Sequence, residues 1–97
     1  MAPRLAPEAV TDLGSIWAYV AKDASVDIAD RLIDSVTHRF LLLATYPQMG
    51  RARDDLRPGM RSFPVAQYLI LYRVESGDVE VLRIIHGHRD IEALFSP

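Results

Sequence analysis

The sequence predicts an α+β fold in which a hairpin of two helices packs on one face of an antiparallel sheet. Two observations support this fold class. Apolar side chains recur at helical spacing through the first half of the chain, and the period changes to strand-like alternation after residue 59. The chain has 97 residues and contains no repeat and no Gly/Ser-rich linker. We therefore expect residues 1–97 to form a single domain.

The first half is predicted to hold one short strand and both helices. Residues 3–6 form the candidate strand, and Pro7 suits the first turn of a helix that should end near Asp23. Ser25 is the expected N-cap of a second, longer helix. That helix should end before Pro47, because the residue preceding a proline is biased out of the helical region. Two amphipathic helices joined by a few residues form a helical hairpin.

The second half is predicted to hold a loop followed by three strands. Residues 48–59 are polar and contain two glycines and a proline, so they should form the loop. The strands are predicted over 60–65, 66–74 and 79–86, with a turn over 75–78. Gly87 should break the last strand, and residues 88–95 are predicted to close as a short C-terminal turn or helix.

Both faces of the last predicted strand are largely apolar. Strict alternation puts Val81, Arg83 and Ile85 on one side. The opposite side then carries Leu82, Ile84 and His86. An apolar face turned away from the helices is a candidate binding surface.

The charge composition favours protein contacts over nucleic-acid contacts. Ten of the eleven basic residues are arginine, Lys22 is the single lysine, and the net charge is −2. Arginine is enriched and lysine depleted at protein interfaces, whereas nucleic-acid binders usually carry a basic excess. The absence of cysteine excludes disulfides and thiolate chemistry. No apolar run is long enough to span a membrane and no signal peptide is recognisable, so we expect a soluble, cytoplasmic protein.

The segment RIIHGHRD, residues 83–90, carries residue types that suit several chemistries. His86 and His88 are two residues apart, but a metal site needs three or four ligands, and His38 is far away in sequence. A metal-free ribonuclease would need an acid, a base and cations at the phosphate, and nothing in the spacing forces such groups together. The alternative is a strand end whose histidine is held by hydrogen bonds.

Two other groups of residues have both a structural and a functional interpretation. Four arginines lie in residues 51–61, but Asp54 and Asp55 stand among them. They can form weak local ion pairs or a guanidinium rim for a protein partner. Tyr68 and Tyr72 could stack on bases, although tyrosines on a half-buried strand more often belong to the core.

Four segments of the chain match, in order and spacing, the pattern of a known family. They are LAPEAVTDLGSIWAYVA, YPQMGR, LRPGMRSFPVAQYLILYRV and VLRIIHGHRD. Together they resemble the ParE branch of the RelE/ParE toxin superfamily. The resemblance implies the same topology, a helical hairpin on an antiparallel sheet.

The resemblance also implies a function. ParE-like proteins are toxins of type II toxin–antitoxin modules that inhibit DNA gyrase and are not hydrolases. Each is neutralised in a hetero-oligomer by a ParD-like antitoxin, whose C-terminal segment folds over the toxin. The alternative is the RelE-like activity, ribosome-dependent mRNA cleavage, with His86 as general acid. The sequence has no lysine after Lys22 and no tyrosine after Tyr72, which disfavours that alternative.

The expected contacts with antitoxin or target are mostly arginines. The candidate residues are Arg51, Arg53, Arg57, Arg61, Tyr72, Arg73, Arg83, His88 and Arg89. Charge reversal at Arg61 or Arg83 is expected to weaken antitoxin binding more than at Lys22. We expect no cofactor, no metal and no direct nucleic-acid contact, and we expect His86 to fix the strand end. Residues 51–57 and the tail after Arg89 are the exposed ends expected to affect toxicity.

Overall fold

The computed structural model describes residues 3–87 and has the α+β architecture predicted from the sequence. Its elements are β1 (Arg4–Leu5), α1 (Pro7–Asp23), α2 (Val26–Thr45), a 3₁₀ turn (Pro47–Met49), β2 (Arg51–Ala52), β3 (Met60–Val65), β4 (Tyr68–Glu75) and β5 (Asp78–His86). The predicted C-terminal turn or helix lies outside the described residues.

The two helices begin and end where their terminal residues require. Pro7 occupies the first turn of α1, where its missing N–H costs no hydrogen bond. The Ser25 hydroxyl accepts the Ile28 N–H at 3.1 Å, which confirms the predicted N-cap of α2. Helix α2 ends at Thr45, just before Tyr46 and Pro47. Within residues 3–87, no helix is both long and apolar enough to cross a bilayer.

The strands form one sheet in the order β1-β5-β4-β3-β2. Strand β1 runs parallel to β5, and the other neighbouring strands are antiparallel. Strands β4 and β5 are joined by Ser76 and Gly77, whose φ angles are 53° and 81°. Two positive φ values match the tight turn that suits a twisted hairpin.

The structure corrects the predicted strands in two places. Within residues 3–87 the sheet has five strands rather than four, because Arg51–Ala52, which lies inside the predicted loop, pairs with Arg61 and Ser62 of β3. Residues 66 and 67, predicted as strand, instead form the turn between β3 and β4, with Ala66 at φ 54°. A two-residue strand has no alternation to detect, and Ala66–Gln67 lacks the usual turn residues.

The main core lies between the helical hairpin and one face of the sheet. Its buried members are Ala9, Ile16, Val36, Phe40, Leu43, Val65, Ile70, Tyr72, Val79, Val81 and Ile84. A second cluster lies on the opposite face, where Met60, Leu71 and Ile85 are buried and Leu56, Leu69 and Leu82 pack against them. The face away from the helices is therefore apolar, as the sequence predicts.

A β-bulge in β5 makes the predicted division of this strand into two faces wrong. Leu71 pairs with Arg83 and Tyr72 pairs with Val81, so Leu82 is an extra residue. Val81 and Ile84 consequently both belong to the main core, although strict alternation assigns them to opposite faces. One additional residue in a strand moves every side chain that follows it to the opposite face of the sheet.

Candidate protein-binding surface

The structure does not gather the predicted contact residues on one surface. His88 and Arg89 lie outside the described residues. The other seven candidates occupy three regions, which we name by their place in the fold. They are the corner after α2, the outer edge of β5, and the second face of the sheet with its neighbouring loop.

Tyr72 holds the corner after α2 and is completely buried. Its hydroxyl donates to the Pro47 carbonyl at 2.7 Å and accepts the Gly50 N–H at 2.8 Å. A Cβ at residue 50 would overlap the Tyr72 phenol ring, so only glycine fits against it. The tyrosine thus serves the fold, which agrees with the interpretation of Tyr72 as a core residue.

Arg61 reinforces the same corner from β3. Its Nη1 donates to the Gly50 carbonyl at 2.5 Å, and its Nη2 donates to Gln48 Oε1 at 2.6 Å. The guanidinium group therefore satisfies two acceptors of the segment that links α2 to β2. Gln48 and Gly50 were not among the predicted residues, although both stand in YPQMGR, the second of the four segments.

Burial raises the pKa of the Tyr72 hydroxyl above its ordinary value of 10.0, against the opposing effects of the Gly50 N–H and the Arg61 charge. A raised folded-state pKa leaves stability intact below the unfolded value and removes it as pH rises through the folded value. We expect the free energy of unfolding to fall above pH 10.0. Urea unfolding at a series of alkaline pH values measures this loss. Tyr72→Phe should reduce the slope of the unfolding free energy against pH. An unchanged slope in that variant would argue against Tyr72 as the titrating group.

Arg83 is held at the outer edge of β5 by Asp12 of α1. Its Nε and Nη2 donate to the two carboxylate oxygens at 2.7 and 3.1 Å. The same carboxylate accepts the Ile84 N–H at 3.0 Å, so Asp12 also satisfies a backbone donor of β5. Asp12 was not singled out in the sequence. Charge reversal at Arg83, like that at Arg61, would break contacts within the fold as well as any contact with a partner.

The second face of the sheet carries the remaining cationic side chains near the second cluster. Arg73 Nη2 lies 3.0 Å from Glu80 Oε1 and 3.3 Å from Glu75 Oε2. Arg57 and Arg73, with Pro58, Met60 and Leu82, line a cavity of about 220 Å³. We call these five residues the arginine rim. It combines an apolar floor with two guanidinium groups, the combination that suits a peptide bearing apolar and acidic side chains.

Strand β2 and the loop after it contribute Arg51 and Arg53, respectively. The Arg53 guanidinium donates to both carboxylate oxygens of Asp55, each at 3.1 Å. These hydrogen bonds lower the pKa of Asp55, whose side chain is exposed. Arg51 is exposed and lies opposite Ser62 in the register of β2 and β3.

The histidine predicted to fix the end of β5 packs against an aromatic ring. The centroids of His86 and Tyr68 are 6.0 Å apart, with an interplanar angle of 76°. The described residues contain no group of three or more His, Cys, Asp or Glu side chains that could hold a metal ion.

Comparison with known proteins places the chain in a family. The model of the family described as "ParE toxin of type II toxin-antitoxin system, parDE" matches residues 4–91. Toxin ParE3 of Caulobacter vibrioides is 35% identical over 82 residues, which cover 84% of this chain and 82% of the relative. Toxin ParE1 of Mycobacterium tuberculosis is 32% identical over 89 residues, 91% of either chain.

A solved structure shares the fold. It is described as a chromosomal ParDE TA system from P. aeruginosa, and it superimposes with a TM-score of 0.77 at 19% identity. The match covers 89% of this chain and 95% of that chain. The family model and the sequence relatives span most of the chain, and the fold agrees with them. The chain belongs to the ParE toxin family of type II toxin–antitoxin systems.

Proposed function

We propose that this toxin inhibits DNA gyrase by binding to it and that a ParD-like antitoxin neutralises the toxin in a hetero-oligomer. Family membership supports the first part of this proposal. The solved ParDE system with the same fold supports an antitoxin of the ParD type. The mode of action we propose is protein binding without hydrolysis.

One observation carries the preference for binding over RNA cleavage: three of the polar side chains that could serve cleavage are engaged inside the fold. The Tyr72 hydroxyl is buried between Pro47 and Gly50. The guanidinium groups of Arg61 and Arg83 bind Gly50 and Asp12, respectively. A metal-free ribonuclease needs its acid, base and cations to converge on one phosphate. Tyr72 and Arg61 instead meet at the corner after α2, where both bind Gly50, and Arg83 is held by Asp12 at the edge of β5.

The arginine rim is the proposed antitoxin surface. Its two guanidinium groups favour carboxylates. Arg73 already forms ion pairs with the carboxylates of Glu75 and Glu80. Its floor of Met60 and Leu82 continues into the second cluster. An antitoxin segment with alternating apolar and acidic side chains would match both properties, as in other peptides that add a strand or helix to a folded domain.

A supercoiling assay with purified gyrase tests the proposed target. We expect the toxin to abolish supercoiling and to accumulate cleaved DNA, and we expect the antitoxin to reverse both effects. Folded toxin that binds antitoxin but leaves gyrase unaffected would refute the gyrase proposal. A ribosome-dependent mRNA cleavage assay with the His86→Ala variant would then test the RelE-like alternative.

Charge reversal at the arginine rim tests the proposed antitoxin surface. We expect Arg57→Glu to weaken antitoxin binding by about tenfold or more, because a repulsive carboxylate would replace an attractive guanidinium group. Lys22→Glu is the matched control, since Lys22 is exposed in the last turn of α1, away from the second face. Titration calorimetry on folded variants measures the difference. Equal losses in the two variants would remove the rim from the interface.

A further inference from the structure

A second cavity lies at the end of the sheet where β3 turns into β4 and β5 ends. Its volume is about 200 Å³, and we call it the Gly87 cavity. The residues that line it are Pro64, Ala66, Gln67, Tyr68, Leu69 and Gly87. None of these six residues carries a charge at neutral pH, whereas the arginine rim contains two guanidinium groups. The Gly87 cavity therefore suits an apolar side chain, and the rim suits carboxylates.

The register of the strands places both cavities on the second face of the sheet. Leu69 pairs with Pro64 of β3 and with Ile85 of β5, and directly paired residues project from the same face. Ile85 is buried in the second cluster, and Leu69 packs against it. Arg73 follows Leu69 by four residues in β4, so it projects from the same face about 13 Å farther along the strand.

The second cluster forms a continuous apolar surface between the two cavities. Met60 and Leu82 belong to the cluster and also line the arginine rim. Leu69 belongs to the cluster and also lines the Gly87 cavity. An extended segment advances about 3.3 Å per residue, so four or five residues of a partner chain would reach from one cavity to the other. One short segment could contact both.

The residue type at position 87 keeps its cavity open. A Cβ there would lie 3.4 Å from the Gln67 carbonyl oxygen and 3.7 Å from Leu69 Cγ, and both residues line the cavity. These are ordinary contact distances, so alanine would fit, whereas a longer side chain would occupy the cavity. The Gly87 N–H donates to the Gln67 carbonyl at 2.9 Å, which closes the pairing of β4 and β5.

We propose that the antitoxin segment crosses the second face in one orientation, with its carboxylates at the arginine rim and an apolar side chain in the Gly87 cavity. The inference rests on the proposed antitoxin surface and adds a second anchor and an order of residue types along the segment. The charged end fixes the orientation, and the apolar end adds burial. The reverse orientation would place a carboxylate in an uncharged cavity, where it would lose hydration without gaining a cation.

The test uses the full chain and a dye-labelled synthetic peptide with leucine at every second position. The positions between the leucines are glutamate in one half and serine in the other, and the peptide is made in both chain directions. A first derivative has serine in place of the leucines of the serine half. A second derivative has glutamine in place of the glutamates. We expect each derivative to bind wild-type toxin about tenfold more weakly than the parent peptide, as measured by fluorescence anisotropy.

Toxin variants assign each half of the peptide to its cavity. In Gly87→Leu the leucine-to-serine change should no longer weaken binding, whereas the glutamate-to-glutamine change should keep its effect. Arg57→Glu should show the reverse pattern. Gly87→Ala is the matched control and should behave as wild type. Circular dichroism checks folding, and Gln67→Glu, at an exposed position that lines the same cavity, replaces Gly87→Leu if that variant does not fold.

The outcomes separate this inference from the proposed antitoxin surface. A leucine-to-serine effect of equal size in wild type, Gly87→Leu and Gln67→Glu would exclude the Gly87 cavity and overturn the inference. If Arg57→Glu still weakened antitoxin binding in that case, the arginine rim would remain the antitoxin surface. If Arg57→Glu and the cavity variants all bound peptide and antitoxin as wild type does, the antitoxin surface itself would be refuted.

Discussion

Replacing Tyr72 by phenylalanine should lower the free energy of unfolding by roughly 1–3 kcal/mol, although the variant removes a single oxygen atom. That oxygen is the partner of both the Gly50 N–H and the Pro47 carbonyl. Gly50 is buried, so its N–H would lose its acceptor without gaining water. Urea denaturation followed by circular dichroism measures the change.

Tyr19→Phe is the matched control for this prediction. Tyr19 is 64% exposed on α1, and loss of its hydroxyl should change stability by less than about 0.5 kcal/mol. If Tyr72→Phe were as stable as Tyr19→Phe, the corner after α2 would not depend on the phenol. Arg61 would then be the group that holds this segment.

The second large effect is expected from Asp12→Ala. Asp12 accepts three hydrogen bonds, two from Arg83 and one from the Ile84 N–H. The side chains of Asp12 and Arg83 are 15% and 33% exposed, so solvent screens part of their interaction. We expect a loss of about 2–4 kcal/mol, because the substitution removes the carboxylate that accepts two hydrogen bonds from Arg83 and one from the Ile84 N–H. Thermal and urea unfolding both report this value.

A double substitution separates the ion pair from the backbone contact. Asp12→Ala with Arg83→Met removes both members of the ion pair, so its loss should be smaller than the sum of the two single losses. Asp23→Ala, in the last turn of α1, serves as the control for removing a carboxylate from this helix. Additive losses in the double variant would mean that Asp12 and Arg83 act independently.

The helices could be predicted from the sequence because their signals are local. The apolar spacing of α1 and α2, the Ser25 cap and Pro47 each act within a few residues. Strand β2 and the bulge at Leu82 could not be predicted in this way. Each depends on a partner strand that lies elsewhere in the sequence, and neither leaves a periodic pattern.

The candidate contact residues were predicted by type, whereas their roles depend on long-range pairs. An arginine in a sequence looks the same whether it meets a partner protein or an internal carboxylate. Arg83 pairs with Asp12 on the first helix, and Arg61 reaches the segment after the second helix. The glycine in YPQMGR was the one residue whose type could have indicated a close contact in the sequence. In the structure the phenol of Tyr72 leaves no space for a Cβ at Gly50.

The pairing of the first strand with the last has a consequence for synthesis of the toxin. Arg4 and Leu5 find their partners at Glu80 and Val81, and the Ala6 N–H donates to the Val81 carbonyl. Both helices also pack on core residues of β5. A nascent chain must therefore expose β5 outside the ribosome before its core can close. Translation that stops before residue 78 would release a fragment lacking the strand that contacts both chain halves, so incomplete synthesis yields no folded toxin.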